Sequence, residues 1–325
     1  MKKRVAAGID IGGTNSVFGL VDDTGKILIR DSVPTGDYPD PVELVHMLCA
    51  KIDTALLQCG KNVELVGVGI GAPNGNYFSG CIEYAPNLKW EGIVPLAEYF
   101  GDDLDCRTIL TNDANAAAIG EMLFGNAKGM KDFLFITLGT GLGSGIVVNS
   151  EMVYGHDGMA GELGHTIIIP GGRLCGCGRK GCLETYCSAT GIRKTYLEKS
   201  GKKDSEAIDS KFIFELAKKG DQAALDAFDF TGEWLGFALA NSVAYTSPAA
   251  IFLFGGLALA GELIFAPTRK SFESNLLKVY QGKIQILPSG LAESDAAILG
   301  AASLVWKETL SPVYPRDHDR LCISS

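Results

Sequence analysis

The sequence has no long uninterrupted apolar stretch. No run of about eighteen residues is free of both charges and turn-forming residues, so a membrane-spanning helix and a membrane partner are not expected. The apolar segment behind the basic N-terminus is interrupted by Asp10 and a glycine pair, so it cannot form a signal-peptide core. We therefore expect the protein to be cytoplasmic.

Basic residues are also few. The 29 lysines and arginines are outnumbered by 38 aspartates and glutamates, which gives a net charge of -9, and no basic stripe is present. Nucleic-acid binding depends on clustered basic side chains, so we expect no nucleic-acid partner. With 46% hydrophobic and 21% charged residues, the chain has the composition of a protein that folds throughout.

The nine cysteines do not form the pattern of a disulfide framework, because their number is odd and no leader precedes them. Cys175, Cys177 and Cys182 lie close together in the sequence, and His165 precedes them. This spacing predicts a closed Cys₃His site for structural Zn²⁺, and the alternative is a loop of free thiols. The other cysteines are expected to be buried thiols: Cys49, Cys59, Cys81, Cys106, Cys187 and Cys322.

The length of 325 residues suits two domains. We expect a smaller α/β lobe over 1–115 and about 295–312, a larger α/β lobe over 116–294, and a poorly ordered tail over 313–325. A ligand cleft is expected where the two lobes face each other.

A strand, a Gly-Thr loop and a second strand occur twice, first around Gly13-Thr14 and again around Gly139-Thr140. The repeat predicts two related lobes that face a common ligand. Strands are expected at 5–9, 16–21, 26–29, 63–70, 106–110, 133–137, 146–148 and 250–254. Helices are expected at 41–58, 113–124, 212–219, 222–245, 258–272 and 294–309.

Both repeated loops are rich in glycine, which allows backbone amides to approach a phosphate. Each could equally be an ordinary hairpin turn. Neither is a Walker or Rossmann loop, because each leads into a strand and no Gly-Lys-Ser/Thr follows. The candidate nucleotide-binding residues are Asp10, Gly12, Gly13, Thr14 and Asn15 in the first loop and Gly139, Thr140, Gly141 and Gly143 in the second.

Asp113 stands at the start of an alanine-rich helix, where the repeat predicts that a cleft opens. It could be a helix N-cap or a carboxylate that accepts the proton of a substrate hydroxyl during phosphoryl transfer. Asn87, Glu162 and Glu184 could be ordinary surface residues. Together they are also the groups that a polyhydroxylated ligand needs, since each hydroxyl both donates and accepts.

These motifs resemble those of the ROK family of sugar kinases and regulators, over nearly the whole chain from Gly8 to about Ser303. Residues 10–14 and 138–145 resemble the two phosphate loops of that family. Gly255-Gly256 is similar to its adenosine-side turn, and residues 161–165 and 175–182 match its sugar and zinc signatures. The resemblance implies a duplicated actin-like ATPase fold, with its ribonuclease H-like lobes on either side of an interdomain cleft.

The resemblance also implies an ATP-dependent hexose kinase in which Asp113 is the general base. Asn87, Asn112, Glu162, His165 and Glu184 would hold the sugar, with His165 also a zinc ligand, and Asp10 would lie near Mg²⁺. A homodimer or homotetramer is implied as well.

The segment 84–90 is most similar to glucokinases, which favours phosphorylation of glucose at its 6-hydroxyl. Asn74 departs from the glycine that is more usual in the family, so the sugar stays open among glucose, N-acetylmannosamine, N-acetylglucosamine, fructose and allose. A sugar-sensing regulator is the alternative from another class. It is disfavoured because the first strand begins at Val5, with no room before it for a helix-turn-helix domain.

Overall fold

The computed structural model of the protein describes residues 2–205 and 207–310. These residues form two compact units. Residues 2–129, 154–160 and 290–310 belong to the first unit, and 130–153 and 161–289 belong to the second. The domain boundary expected after residue 115 therefore differs from the observed division, and the expected tail over 313–325 lies outside the described residues.

Strands and helices are interspersed along the chain. Within the described residues the strands are β1 (Lys3–Ile11), β2 (Asn15–Asp22), β3 (Ile27–Pro34), β4 (Val63–Ala72), β5 (Ile82–Glu83), β6 (Ile93–Val94), β7 (Thr108–Asn112), β8 (Phe133–Leu138), β9 (Leu142–Val148), β10 (Glu151–Met152), β11 (Ala250–Phe254) and β12 (Gln285–Pro288). The helices are α1 (Pro41–Cys59), α2 (Leu96–Leu104), α3 (Asp113–Phe124), α4 (Glu184–Cys187), α5 (Ala189–Ser200), α6 (Ser210–Lys218), α7 (Gln222–Thr246), α8 (Glu262–Asn275) and α9 (Ala296–Leu310).

The two units contain five-stranded sheets of the same topology. The order is β3-β2-β1-β4-β7 in the first unit and β10-β9-β8-β11-β12 in the second. In each sheet the first three strands form an antiparallel meander and the next two add in parallel. The predicted repeat is thus present, with Gly13-Thr14 and Gly139-Thr140 in equivalent hairpins.

The second hairpin is tighter than expected. The loop was predicted over 138–145, but β9 already begins at Leu142, and Thr137 pairs with Gly143 in the β8–β9 ladder. Only Gly139, Thr140 and Gly141 remain in the turn. The glycines at 143 and 145 misled the prediction because glycine usually weakens a strand.

Helix α1 shows how local sequence sets element ends. The Asp40 side chain accepts a hydrogen bond from the Val42 amide and Pro41 is the first helical residue, which is a favourable start. Gly60, at φ 97°, ends the helix. The buried face packs in the core of the first unit and includes Leu44, Leu48 and Ile52.

Helices α3 and α9 pack so closely that glycine is required at their contact. A Cβ added to Gly120 would lie 2.9 Å from the Gly300 Cα, and one added to Gly300 would lie 2.9 Å from the Ala116 carbonyl oxygen. This close packing explains why 116–129 belongs to the first unit rather than the second. Helix α9 also packs on β1 and β4, as expected for the returning C-terminal helix.

The remaining differences concern helices. The expected helix over 258–272 is a 3₁₀ turn at Ala258–Ala260 followed by α8, because Gly261 adopts a φ of 60° between them. Helices α2, α4 and α5 were not predicted. Along the described part of the chain, none of the helices combines the length and the apolar character that crossing a membrane requires.

Candidate functional site

The carboxyl ends of three parallel-paired strands bring polar residues together in the first unit. Asp10 near the end of β1 pairs with Gly71 of β4, and the next residue of β4 pairs with Asn112 of β7. A Cβ added to Gly71 would lie 3.7 Å from Asp10 Oδ1 and 3.6 Å from the Asp113 Cα. The small residue at 71 therefore leaves space between the two aspartates. Such a strand end is the usual location of ligand sites in open α/β sheets.

The N-cap of α3 is Asn112, which corrects the alternative that Asp113 caps the helix. Asn112 has an extended backbone, at φ −60° and ψ 146°, and its side chain accepts a hydrogen bond from the Ala114 amide at 2.8 Å. Asp113 is the first helical residue, and its Oδ1 accepts from the same amide at 2.7 Å. The Asp113 side chain is exposed, so its carboxylate can reach a substrate.

Both aspartates have raised pKa values. Burial raises the pKa of Asp10 to about 7, and the negative charge of Asp113 adds to the shift. Desolvation by the surrounding protein also raises the pKa of Asp113, although hydrogen bonds from backbone amides act against it. A carboxylate with a raised pKa is a stronger base than an ordinary aspartate, which suits proton abstraction near neutral pH.

The β1–β2 hairpin lies against the segment that contains Asn87. The Gly12 amide donates to the Asn15 carbonyl at 3.1 Å, which closes the turn. A Cβ on Gly13 would lie only 2.4 Å from the Asn87 carbonyl oxygen, so this contact requires glycine. The structure thus brings Asn87 to the first glycine loop, where the side chains of Thr14 and Asn15 are exposed.

In the second unit the β8–β9 turn is fastened to the start of α5. The Ala189 amide donates to the Gly139 carbonyl at 2.8 Å, and Thr190 Oγ1 donates to the Thr140 carbonyl at 2.9 Å. Gly255, at φ 101°, packs against this turn, since its Cβ would lie 2.8 Å from the Leu138 carbonyl oxygen. The second glycine loop and the first residue of the Gly255-Gly256 turn are therefore neighbours.

Glu184, the first residue of α4, connects the second glycine loop to the cysteines. Its Oε2 accepts a hydrogen bond from the Leu142 amide at 3.1 Å, and its Oε1 lies 3.8 Å from Cys175 Sγ. A Cβ on Gly141 would come within 2.3 Å of Oε2. A side chain at 141 would therefore displace the Glu184 carboxylate from this position.

The ligand atoms of His165, Cys175, Cys177 and Cys182 all lie within 4.8 Å of one another. Cys177 Sγ is 3.7 Å from Cys182 Sγ, and Cys175 Sγ is 3.6 Å from His165 Nδ1. A tetrahedron with Zn–S bonds of about 2.3 Å has edges of about 3.8 Å between sulfur atoms. The two distances match such edges, so the residue types and spacing of the four side chains fit a tetrahedral Zn²⁺ site.

Thiol acidity differs across this cluster. Burial raises the pKa of the Cys175 thiol to about 12. Hydrogen bonds from the Arg179 backbone and side chain lower the pKa of the exposed Cys177 thiol to about 6. Zinc binds thiolates, so Cys177 is the thiol that loses its proton most readily. Cys175 must lose a proton as the ion binds.

His165 lies at the end of a 3₁₀ turn, Leu163–His165, with its two ring nitrogens on different partners. Nδ1 faces Cys175 Sγ, and Nε2 is 3.9 Å from Glu162 Oε2. A metal on Nδ1 would therefore leave Nε2 on the side of Glu162.

Comparison with known proteins identifies the kind of site. The chain matches the ROK family over residues 6–308. The chain belongs to the ROK family. A glucokinase of Thermotoga maritima is 34% identical over 320 residues, which cover 94% of this chain and 98% of that protein.

A structure of a ROK family glucokinase from Streptomyces griseus in complex with glucose and AMPPNP is 34% identical, with a TM-score of 0.78 over 92% of this chain and 98% of that one. A xylose repressor of Bacillus spizizenii is 28% identical over 96% of this chain and 79% of the repressor. A glucokinase and a xylose repressor therefore both resemble the chain, with higher identity to the glucokinase.

The structure of this ROK protein adds residues that the sequence did not single out. Gly71 lies against the two aspartates, Thr190 donates to the second glycine loop, and Arg173 lies two residues before the first clustered cysteine. No spacing pattern marks Gly71 or Thr190, because their neighbours in the site are distant in the sequence. Of the cysteines expected to be buried, Cys59 and Cys106 are only half-buried, and Cys322 lies outside the described residues.

Proposed function

We propose that this protein is an ATP-dependent glucokinase that transfers the γ-phosphoryl group of ATP to the 6-hydroxyl of glucose. The observation that carries the proposal is the exposed Asp113 carboxylate, with its raised pKa, at the end of the sheet beside Asp10. The similarity to glucokinases over nearly the full length supports the choice of sugar.

Six residues are proposed to bind glucose. Asn87, Asn112 and Asp113 belong to the first unit, and Glu162, His165 and Glu184 belong to the second. Carboxylates and a carboxamide oxygen accept hydrogen bonds from sugar hydroxyls, and the free imidazole nitrogen of His165 and the amide of Asn87 add further polar partners. The Asn112 oxygen already caps α3, which leaves its amide NH₂ as the group for the sugar.

The two glycine hairpins are proposed to bind the phosphates of ATP through backbone amides, which glycine leaves accessible. Gly12, Gly13, Thr14 and Asn15 form the first set. The second set is Gly139, Thr140, Gly141 and Gly143, with Gly255 and Gly256 on the adenosine side. Donors fixed in place before the reaction stabilise phosphoryl charge without reorganisation.

Asp10 is the residue proposed to hold Mg²⁺. Burial and the negative charge of Asp113 raise the pKa of Asp10, and a divalent cation beside it would favour the ionised carboxylate. A bound Mg²⁺ would supply charge neutralisation of the phosphates. The Asp113 carboxylate takes the proton of the sugar hydroxyl, and Gly71 leaves room between the two acidic groups.

Zn²⁺ is proposed to bind His165, Cys175, Cys177 and Cys182. With four protein ligands it has no open position, so its contribution is to hold the loop and fix one nitrogen of His165. The remaining nitrogen can then be oriented toward a sugar hydroxyl. A homodimer or homotetramer remains a prediction.

A sugar-sensing regulator is the second candidate, because a xylose repressor also matches the chain. The kinase is favoured because identity to the Thermotoga glucokinase is higher and the match covers 98% of that enzyme.

The test is a coupled assay of ADP release with ATP and Mg²⁺, over glucose, mannose, fructose, allose, N-acetylglucosamine and N-acetylmannosamine, with a control that lacks sugar. Activity on glucose with the highest kcat/KM is expected. A higher kcat/KM on an N-acetyl sugar would keep the kinase and replace its substrate. No ADP release with any sugar, together with sugar binding that calorimetry can still measure, would favour the regulator.

A further inference from the structure

We infer that Arg173 is a positioning residue that holds the cysteine loop, defined as residues 173–182, in register with Glu184. The inference rests on the proposed function, in which Glu184 binds the sugar. Arg173 is not a zinc ligand, and it lies two residues before Cys175. Its guanidinium fastens the loop to α4 and α5 independently of any metal.

The backbone of Arg173 closes the cysteine loop. Its carbonyl accepts a hydrogen bond from the Gly181 amide at 2.8 Å, so the residue before Cys182 returns to the start of the loop. Its amide donates to the Tyr186 hydroxyl at 2.8 Å. Within the loop the Cys175 amide donates to the Arg179 carbonyl at 2.9 Å. These hydrogen bonds hold the two ends of the loop together.

The guanidinium of Arg173 has all five of its N–H groups occupied. Nη1 donates to the carbonyls of Thr185 at 2.8 Å and Gly191 at 3.2 Å. Nη2 donates to Thr195 Oγ1 at 3.0 Å and Glu198 Oε2 at 2.6 Å, and Nε donates to Glu198 Oε1 at 3.2 Å. Five acceptors for five donors is the full capacity of arginine.

The guanidinium also lies over an aromatic ring. Its Cζ is 4.6 Å from the centre of the Tyr186 ring, within the range of a cation–π contact. Only 14% of the Arg173 side chain is exposed, whereas its ion-pair partner Glu198 is 64% exposed. Lysine has three donors and no planar fork, so it cannot reproduce this set of contacts.

These contacts determine where Glu184 lies. Arg173 binds the carbonyl of Thr185 and stacks on Tyr186, the two residues that follow Glu184 in α4. Glu184 in turn reaches the Leu142 amide beside the second glycine loop and approaches Cys175. Loosening Arg173 would therefore move both the zinc ligands and the carboxylate proposed to bind sugar.

The test compares Arg173→Lys with Glu198→Gln. We expect Arg173→Lys to raise KM for glucose about tenfold, with KM for ATP changed less than about twofold, and to speed the release of zinc to a chromogenic chelator about tenfold. Glu198→Gln, which keeps an acceptor at the exposed end of the network, should change each quantity less than about twofold.

Unchanged KM for glucose or unchanged zinc release in a folded Arg173→Lys protein would overturn the inference. If that variant does not fold by circular dichroism, Thr195→Val removes a single acceptor and should shift both quantities in the same direction by about threefold. No shift in Thr195→Val would also overturn it. A wild-type protein that phosphorylates no sugar would instead refute the proposed function, and the zinc-release comparison would still test Arg173.

Discussion

At the scale of the residue, Asp113 carries the proposed chemistry. Replacing Asp113 with Asn keeps the shape and the hydrogen bond to the Ala114 amide but removes the basicity. We expect kcat to fall by about 10²-fold or more, with the affinity for glucose nearly retained, as measured by the coupled assay and by calorimetry. Asp102→Asn, an exposed aspartate of α2, is the control for the lost charge. Turnover near that of the wild type would remove Asp113 from the role.

A second prediction at this scale concerns Asp10, whose pKa is raised from 3.8 to about 7. Between these values the folded protein binds a proton that the unfolded chain has released, so stability falls as pH rises from about 4 to about 7. In buffer free of Mg²⁺, Asp10→Asn should therefore be more stable than the wild type at pH 8, by on the order of 4 kcal/mol. Urea unfolding of the two proteins at pH 4 and at pH 8 measures the difference in the free energy of unfolding.

Near pH 4 most of this advantage of Asp10→Asn should disappear, because the folded wild type holds the proton and the unfolded chain is only partly ionised. An equal difference in the free energy of unfolding at pH 4 and pH 8 would show that the ionisation of Asp10 is not its source. Asp23→Asn, an exposed aspartate in the β2–β3 turn, controls for a change of surface charge.

Sequence and structure agree unevenly at this scale. The chemistry of Asp113 follows from its residue type and its place after a strand, and that much could be predicted. The sequence could not predict which of Asn112 and Asp113 caps α3. Both side chains are good caps, and only the backbone angles distinguish them. The contact of Gly71 with both aspartates depends on strand pairing between distant segments.

At the scale of the element, Glu121 of α3 joins segments that are far apart in the sequence. Its side chain is fully buried, and its carboxyl oxygens accept hydrogen bonds from the amides of Asn126 at 2.8 Å and Gly290 at 2.9 Å. A Cβ on Gly125 would lie 2.4 Å from this carboxyl group, and one on Gly290 would lie 2.6 Å from the Asn126 nitrogen. The two glycines are therefore required for the contact.

Glu121→Gln should destabilise the protein by about 2–4 kcal/mol, because the new NH₂ group, in the place of Oε2, would face the Gly290 amide, which also donates. The free energy of unfolding in urea, with the slope of the transition as a check on two-state behaviour, measures the loss. Glu98→Gln, on the exposed side of α2, should change it by less than about 0.5 kcal/mol. A loss for Glu121→Gln as small as for this control would contradict the prediction.

The elements themselves were predictable where local signals agree. Strand β11 and helix α1 follow from apolar pattern, a capping aspartate and a terminal glycine. Helix α2 was missed because it is short and its N-cap, Pro95, makes no side-chain hydrogen bond. Helix α5 has Ser188 as its N-cap and Gly201 at its C-terminal end. It was missed because its many polar residues leave no clear helical spacing of apolar residues.

At the scale of the whole molecule, the duplication was visible in the sequence because both hairpins keep a Gly-Thr pair in the same place. The division into units was not visible in the sequence, because it depends on the packing of α3 against α9 and on the segment 154–160. Asn76, which is nearly buried, donates to the Asp157 carbonyl at 2.8 Å and so anchors that segment in the first unit. No local sequence pattern predicts a contact between residues that are so far apart in the chain.

Ligand binding should be visible in the stability of the whole chain. Glucose at about 100 times its dissociation constant should raise the free energy of unfolding by about 2.7 kcal/mol, because the unfolded chain does not bind it. Cys177→Ser removes one of four zinc ligands and should release the metal, which frees His165 and weakens the sugar site. At the same glucose concentration this variant should therefore show a much smaller rise in Tm than the wild type.

Cys59→Ser is the matched control, because Cys59 is a half-buried thiol outside the zinc cluster. It should keep one zinc ion per chain by elemental analysis and the full glucose-induced rise in Tm. If Cys177→Ser loses its zinc yet responds to glucose as strongly as Cys59→Ser, zinc stabilises only the cysteine loop. Zinc binding to His165 then has no effect on glucose affinity. If the wild type itself contains no zinc, the four residues are free thiols and an imidazole, and Cys177→Ser should leave the response to glucose unchanged.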